Sequence, residues 1–319
     1  MRIQLKPIRF SLPVSDVVLA VIGTGFLVTA LRTESAVSRD ICSSVSASFF
    51  FFLILRTIEH LKFRLQFRVF RRFFGEQALG DEFRFVYPNF VLHTAVRSLI
   101  TNANMDVQAI YMKPASRFTK AYQIDIPELV AINDLEAMSE FVSLFGREAG
   151  VTPKILADDS AINSGFSFIS FGLSSNECTH MYLDCVDNPL FEIKEERNEE
   201  LPQFPQYVEI RMPDGADPVV FRSTARREVG LFVRHRLTTV ESERCWMFCA
   251  GVGPMATVGV ARYVTRCWSR LAKQVGDEDF IAVFQVPPYS VEQAELVNLT
   301  TSSRIIIEGK SDGAAVRRT

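Results

Sequence analysis

Two short turns carry the residues most suited to binding chemistry in this sequence. The first is GLSSN, from Gly172 to Asn176, and the second is GVGPMAT, from Gly251 to Thr257. Each follows an apolar run typical of a buried strand and precedes a helical pattern. Glycine lets a backbone approach a ligand closely, and the start of a helix offers unpaired N–H groups to an anion.

These turns predict a shared pocket for a nucleotide-like, phosphorylated ligand. Its predicted binding residues are Gly172, Ser174, Ser175, Asn176, Gly251, Gly253 and Thr257. GVGPMAT is not the GxGxxG fingerprint, because Ala256 takes the place of the last glycine, and no P-loop lysine is present. The alternative is that the glycines serve only tight turns and the serines only cap a helix.

Catalytic residues are not identifiable from the sequence. GLSSN is not the GxSxG nucleophile elbow, and no acid–base pair accompanies it. Asp158, Asp159 and His180 are the acid or base candidates if the same cleft performs nucleotide or nucleoside chemistry. The six cysteines and four histidines are too scattered for a zinc site, so no metal is predicted. A net charge of −2 argues against a dedicated nucleic-acid binder.

The runs that position the turns alternate between strand and helix. Gly165–Leu173 and Cys245–Val252 predict strands covered on both faces, and a helix is expected from about Met255 to Lys273. Asn133 is expected to cap another helix, which Gly150 would end. This rhythm predicts an α/β, Rossmann-like domain with a mainly parallel sheet. Residues 191–237 predict an antiparallel insertion or an extension at the sheet edge, on which Arg234 and Arg236 would share one face.

The N-terminal part predicts a membrane anchor. Leu12–Leu31 and Ile41–Ile58 are two apolar segments, and the first is long enough to cross a hydrocarbon core of about 30 Å. Basic residues before the first segment and after the second place both termini in the cytoplasm, so we expect a two-helix transmembrane hairpin. A cleaved signal peptide is the rival interpretation of the first segment.

The expected organisation therefore has four parts. Residues 1–58 form the transmembrane hairpin, 59–80 a basic juxtamembrane helix or linker, 81–309 the cytoplasmic α/β domain and 310–319 a flexible tail. We expect a multi-pass protein of the cell inner membrane. The bilayer is its expected partner, together with the nucleotide-like small molecule, and homo-oligomerisation is left open.

The layout resembles the two-transmembrane-helix effectors and sensors of bacterial nucleotide-signalled antiphage defence. The features that carry this resemblance are the hairpin and the paired elements GLSSN and GVGPMAT. The resemblance implies that ligand binding drives oligomerisation and that the spans then perturb the membrane. The leading hypothesis is a membrane-anchored sensor or effector; an anchored nucleotide-processing enzyme and a ligand-free scaffold are the alternatives.

Overall fold

The computed structural model describes residues 14–89, 131–161, 165–196, 206–238, 243–253, 255–308 and 315–317. The chain divides into two compact units, Met1–Arg68 and Val69–Thr319. In the described residues the helices are α1 (Val14–Arg32), α2 (Ala36–Phe74), α3 (Ile132–Ala149), α4 (Asp158–Ala161), α5 (Glu177–Cys185) and α6 (Ala256–Val275). Short 3-10 turns lie at Glu76–Leu79, Pro213–Gly215 and Val291–Gln293.

The strands form two sheets. The main sheet contains β1 (Phe83–Tyr87), β2 (Lys154–Ala157), β3 (Ser167–Phe171), β7 (Glu228–Thr238), β8 (Glu243–Val252), β9 (Phe280–Val286), β10 (Glu295–Thr301) and β11 (Ile305–Glu308). The smaller, antiparallel sheet contains β4 (Phe191–Glu195), β5 (Gln206–Ile210), β6 (Val219–Arg222) and β12 (Ala315–Arg317). The predicted α/β class is confirmed.

The main sheet has the order β11-β10-β9-β7-β8-β3-β1-β2. Four adjacent strands, β2, β1, β3 and β8, are parallel, and only β7 and β10 run against the other six. The chain goes outward from β1 to β2 and then crosses back to β3 on the other side of β1. In an open α/β sheet such a reversal leaves a crevice at the carboxyl ends of the strands.

The antiparallel insertion predicted at residues 191–237 is confirmed for β4, β5 and β6 and is wrong for the last part of the segment. The segment 191–237 supplies the separate sheet through β4, β5 and β6, but its last part forms β7 in the middle of the main sheet. Strand β7 is hydrogen-bonded to β8 on one side and to β9 on the other. The alternation of apolar and basic residues in this strand is typical of an edge strand. Arg234 is nevertheless completely buried, and backbone carbonyl groups accept its hydrogen bonds.

Each face of the main sheet buries its own apolar cluster. One cluster joins the sheet to the end of α2, to α3 and to α6, and phenylalanine rings fill most of it. The other joins the opposite face to α5 and to the small sheet. The capping predicted for α3 is partly wrong: Ala131, not Asn133, is the N-cap, whereas Gly150 ends the helix at a φ of 66°. Asn133 already belongs to the first turn.

The first unit contains α1 and most of α2. Among the described residues, one helix is long and apolar enough to cross a membrane, and that helix is α2; the apolar stretch of α1, Val17–Arg32, is shorter. The two helices touch where Ser46 Oγ donates a hydrogen bond of 2.9 Å to the carbonyl oxygen of Gly23. Helix α2 runs without a break through residues 58 and 59, and its last six residues belong to the second unit.

Candidate functional site

The two predicted turns lie at the same edge of the main sheet. Strands β3 and β8 are parallel neighbours, so the turns that follow them both lie at the carboxyl ends. The amide of Gly172 donates a hydrogen bond of 3.2 Å to the carbonyl oxygen of Cys249, which fixes the start of the first turn against β8. The GLSSN turn is also next to β1, where the strand order reverses.

The GLSSN turn uses most of its polar groups internally. The side chain of Asn176 is completely buried and caps α5: its Oδ1 accepts from Cys178 N at 2.9 Å, and its Nδ2 donates to Phe171 O at 2.8 Å. Ser174 is half-buried, and its carbonyl oxygen accepts from His180 Nε2 at 2.9 Å. Ser175 is exposed.

Asp158 completes the cap of α5. One of its carboxylate oxygens accepts from the amides of Asn89 and Asp159, and the other accepts from the amide of Glu177 at 3.0 Å. Three backbone donors therefore hold the Asp158 carboxylate in a structural position. Together with Asn176, it satisfies the amides of the first turn of α5, which the sequence had assigned to an anion.

In the GVGPMAT turn, too, a carboxylate of the protein itself accepts hydrogen bonds from the backbone amides. Glu228, at the start of β7, places Oε2 2.8 Å from the amide nitrogen of Met255, and its carboxylate also accepts from the amide of Ala256. Glu228 is buried, and this desolvation raises the pKa of its carboxyl group, against the opposing effect of the two amides. The protein's own carboxylate thus lies at the N-terminus of α6.

The two glycines of this turn have separate structural roles. A Cβ at Gly251 would lie 2.3 Å from Ala256 Cβ, so glycine permits α6 to pack closely on β8. Gly253 has a φ of +127°, and a Cβ there would lie 2.4 Å from Glu228 Cδ. Thr257 is buried in α6, and its carbonyl oxygen faces Cys249 Sγ at 3.6 Å. These contacts explain the turn without a ligand.

Unlike Asp158 and Glu228, one carboxylate at this edge, that of Asp134, does not accept hydrogen bonds from the backbone amides of the described residues. Asp134, in the first turn of α3, is 6% exposed, and its side chain accepts no hydrogen bond from the part of the chain that the structure describes. Burial raises the pKa of this carboxyl group to about 6. A Cβ at Gly172 would lie 3.3 Å from Asp134 Oδ2 and 2.9 Å from Ser175 Oγ, so the carboxylate faces the GLSSN turn.

A second acceptor lies at the same edge. Asn89, two residues after β1, has a buried Oδ1 that no hydrogen-bond donor reaches among the described residues. Its neighbour Pro88 approaches the Cβ position of Gly172 to 3.5 Å. The carboxyl ends of β1 and β3 therefore present oxygen acceptors to a ligand, which favours a ligand that brings hydrogen-bond donors.

The sequence predicts the turns at the carboxyl edge of the sheet but not the two buried acids there, Asp134 and Glu228. In the sequence, Asp134 follows Asn133 and cannot be told apart from an acidic residue that complements the dipole at a helix start. Glu228 opens a strand that the sequence pattern placed elsewhere in the sheet. The available signal for Asp134 was its position at the start of the helix before β2, since a helix that leads into a parallel strand begins at the carboxyl edge of the sheet.

No protein-family model, no curated protein and no solved structure matches this chain. The features of the molecule that bear on function are the carboxyl edge of the main sheet and the long helix α2.

Proposed function

We propose that this chain is a membrane-anchored sensor whose Rossmann-like domain binds a nucleotide-like small molecule beside Asp134 and Gly172. The observation that carries the proposal is the buried carboxylate of Asp134, held against the glycine turn at the point where the strand order reverses. None of the described residues donates a hydrogen bond to this carboxylate. Burying a carboxylate without a donor is costly, and such costs are typical of binding sites rather than of packing.

The charged and hydrogen-bonding groups at this edge indicate which part of the ligand would bind there. Asp134 and Glu228 make the edge acidic, and the first amides of α5 and α6 already have acceptors. A phosphate would meet repulsion at this point. A ribose hydroxyl or an exocyclic amine of a base would instead donate to Asp134, and Gly172 would allow a flat ring to approach the backbone. The phosphate of the ligand would then point away from both acids.

The anchoring half of the proposal rests on α2. Its 39 residues extend over about 58 Å at about 1.5 Å per residue, which exceeds the hydrocarbon core of about 30 Å. Apolar side chains along it, such as Phe51, Phe52 and Ile54, are exposed. We propose a multi-pass protein of the inner membrane in which both α1 and α2 span the bilayer and both termini are cytoplasmic. Cysteine labelling from each side of the membrane tests this topology, and an N-terminus reached only from outside would refute it.

A thermal-shift screen of the full-length protein in detergent tests the sensor hypothesis. The probes are nucleotides, dinucleotides, cyclic oligonucleotides and NAD-type molecules. We expect at least one to raise the melting temperature of the wild type. Asp134→Asn should abolish the shift, whereas Asp159→Asn, a change at an exposed carboxylate just after β2, should preserve it. A shift that both variants retain would place the ligand elsewhere.

An anchored enzyme is the second candidate, and the same carboxylate favours it. A carboxyl group with a pKa of about 6 is suited to exchange protons near neutral pH. We propose Asp134, rather than Asp158, as the base, because backbone amides hold the oxygens of Asp158. Turnover of a probe that the wild type binds, lost in Asp134→Asn, would favour the enzyme; binding without turnover would favour the sensor.

The effector hypothesis from antiphage systems adds one further step, which is ligand-driven assembly. If it applies, the probe that raises the melting temperature also increases the particle mass measured by light scattering in detergent. Probe binding without a change in the particle mass would indicate a sensor that signals without forming an oligomer.

A further inference from the structure

Arg234 lies in the middle of the main sheet and is completely buried. Its guanidinium donates to four backbone carbonyl oxygens. Nη1 bonds to the oxygens of Arg72 at 3.2 Å and Phe73 at 3.1 Å; Nη2 bonds to the oxygen of Gly276 at 2.9 Å and to that of Glu278. The first pair belongs to the end of α2, and the second pair lies just after the end of α6.

The carbonyl groups of Arg72 and Phe73 belong to the last turn of α2, and that of Gly276 belongs to the residue that ends α6. The last carbonyl groups of a helix have no partner within the helix, and the negative end of the helix dipole lies there. One buried cation therefore caps the end of α2 and also binds two residues that follow α6, Gly276 and Glu278. Rings complete its surroundings, with the guanidinium carbon 4.9 Å from the ring centre of Phe280 and 5.8 Å from that of Phe73.

The residue keeps its charge in this position. Burial lowers the pKa of Arg234 to about 10, while Asp279 and Asp277 act in the opposite direction. Arg72 adds a second link between the same two helix ends, through its ion pair with Asp277. That pair is half-exposed, so it contributes less than the buried guanidinium.

We propose that Arg234 is a latch that joins the ends of α2 and α6 to the sheet, so that opening at one helix end opens the other. Residues 69–74 at the end of α2 would then separate from the sheet only together with the residues that follow α6. This inference concerns residues 69–319 alone and does not depend on a ligand at Asp134.

Hydrogen exchange of the full-length protein in detergent, followed by mass spectrometry, tests the latch. Arg234→Met keeps an unbranched side chain as far as the position of Nε and removes every donor. Arg236→Met is the matched control, because Arg236 lies two residues further along the same strand and its side chain pairs with Asp279. In Arg234→Met we expect exchange at residues 69–74 and 271–278 to rise together by at least about tenfold, and Arg236→Met should leave both near the wild-type rate.

Two results would overturn the proposal. One is faster exchange in only one of the two segments, which would show that the ends are not coupled. The other is an equal rise in every segment, including β1 and β3, which would reduce Arg234 to a general core residue. If Arg234→Met does not fold, Arg234→Lys is measured in the same way; it keeps the charge but cannot reach all four carbonyls, and the same two results decide the question.

Discussion

The carboxyl group of Glu228 lies where a side chain at position 253 would begin, with its Cδ 2.4 Å from the Cβ position of Gly253. The same carboxylate accepts the amide hydrogen of Met255 at the start of α6. The relationship gives Gly253 a structural purpose: glycine leaves room for the acid that caps the helix. A bulky residue at 253 would therefore disturb the fold, so it is unsuited as a probe of binding alone.

Gly253→Ala should destabilise the protein more than an equivalent change at an open glycine. The expected loss is about 1–3 kcal/mol from the positive φ, with a further loss from the collision with Glu228. Gly215→Ala is the control, because Gly215 also has a positive φ but no atom lies within 4 Å of its Cβ position. Chemical denaturation of both variants measures the difference. Equal losses would show that Glu228 moves aside freely.

Glu228→Ala should cost about 1 kcal/mol through the lost cap of α6, and it should open the vacated amides to an external anion. Sulfate is the probe. We expect it to raise the melting temperature of Glu228→Ala and to have a smaller effect on the wild type at equal ionic strength, with chloride as the control. An identical response of the two proteins to sulfate would contradict the assignment of Glu228 as a built-in anion.

Asp134 should make the stability of the domain depend on pH. Its pKa is about 6 in the folded protein, above its ordinary value of 3.8, so the folded state binds the proton more tightly. The contribution of this group to stability is therefore greatest below about pH 4, and it decreases by about 3 kcal/mol as the pH rises through about 6.

Asp134→Asn should remove this decrease, so that the variant is more stable than the wild type at pH 7.5 and similar to it at pH 4. Unfolding by denaturant across that range is the measurement. A variant that is less stable at pH 7.5 would show that the carboxylate has a structural partner. A gain in stability together with a loss of probe binding is the pattern expected of a functional residue.

Phe145 should be among the most costly residues to truncate. Its ring lies 4.9 Å from those of Phe70 and Phe74, and 5.2 Å from that of Phe85. Phe145→Ala should lower the free energy of unfolding by about 3–5 kcal/mol and loosen residues 69–74, because the cavity forms directly against the end of α2. Tyr289→Ala, at a fully exposed ring, is the control and should have little effect. A small loss at Phe145 would mean that α3 and α2 are not tightly packed.

The sequence by itself determined the α/β class, the buried strands β3 and β8, the helix after β8 and the apolar character of α2. These features depend on the periodicity of apolar residues and on the positions of glycine. Both can be read from residues that lie close together in the sequence. It also located the turns at Gly172 and Gly251, since a strand that ends in small residues predicts a turn whatever the rest of the fold does.

The tertiary structure decided everything that depends on distant partners. Glu228 meets Gly253 only because β7 lies beside β8, and Arg234 is buried only because the ends of α2 and α6 bring carbonyls to it. Asp134 reaches Gly172 only because α3 begins at the carboxyl edge of the sheet. A charged residue looks the same in a sequence whether it faces water or a buried acceptor, so which charges are structural and which are available to a ligand depended on the sheet order.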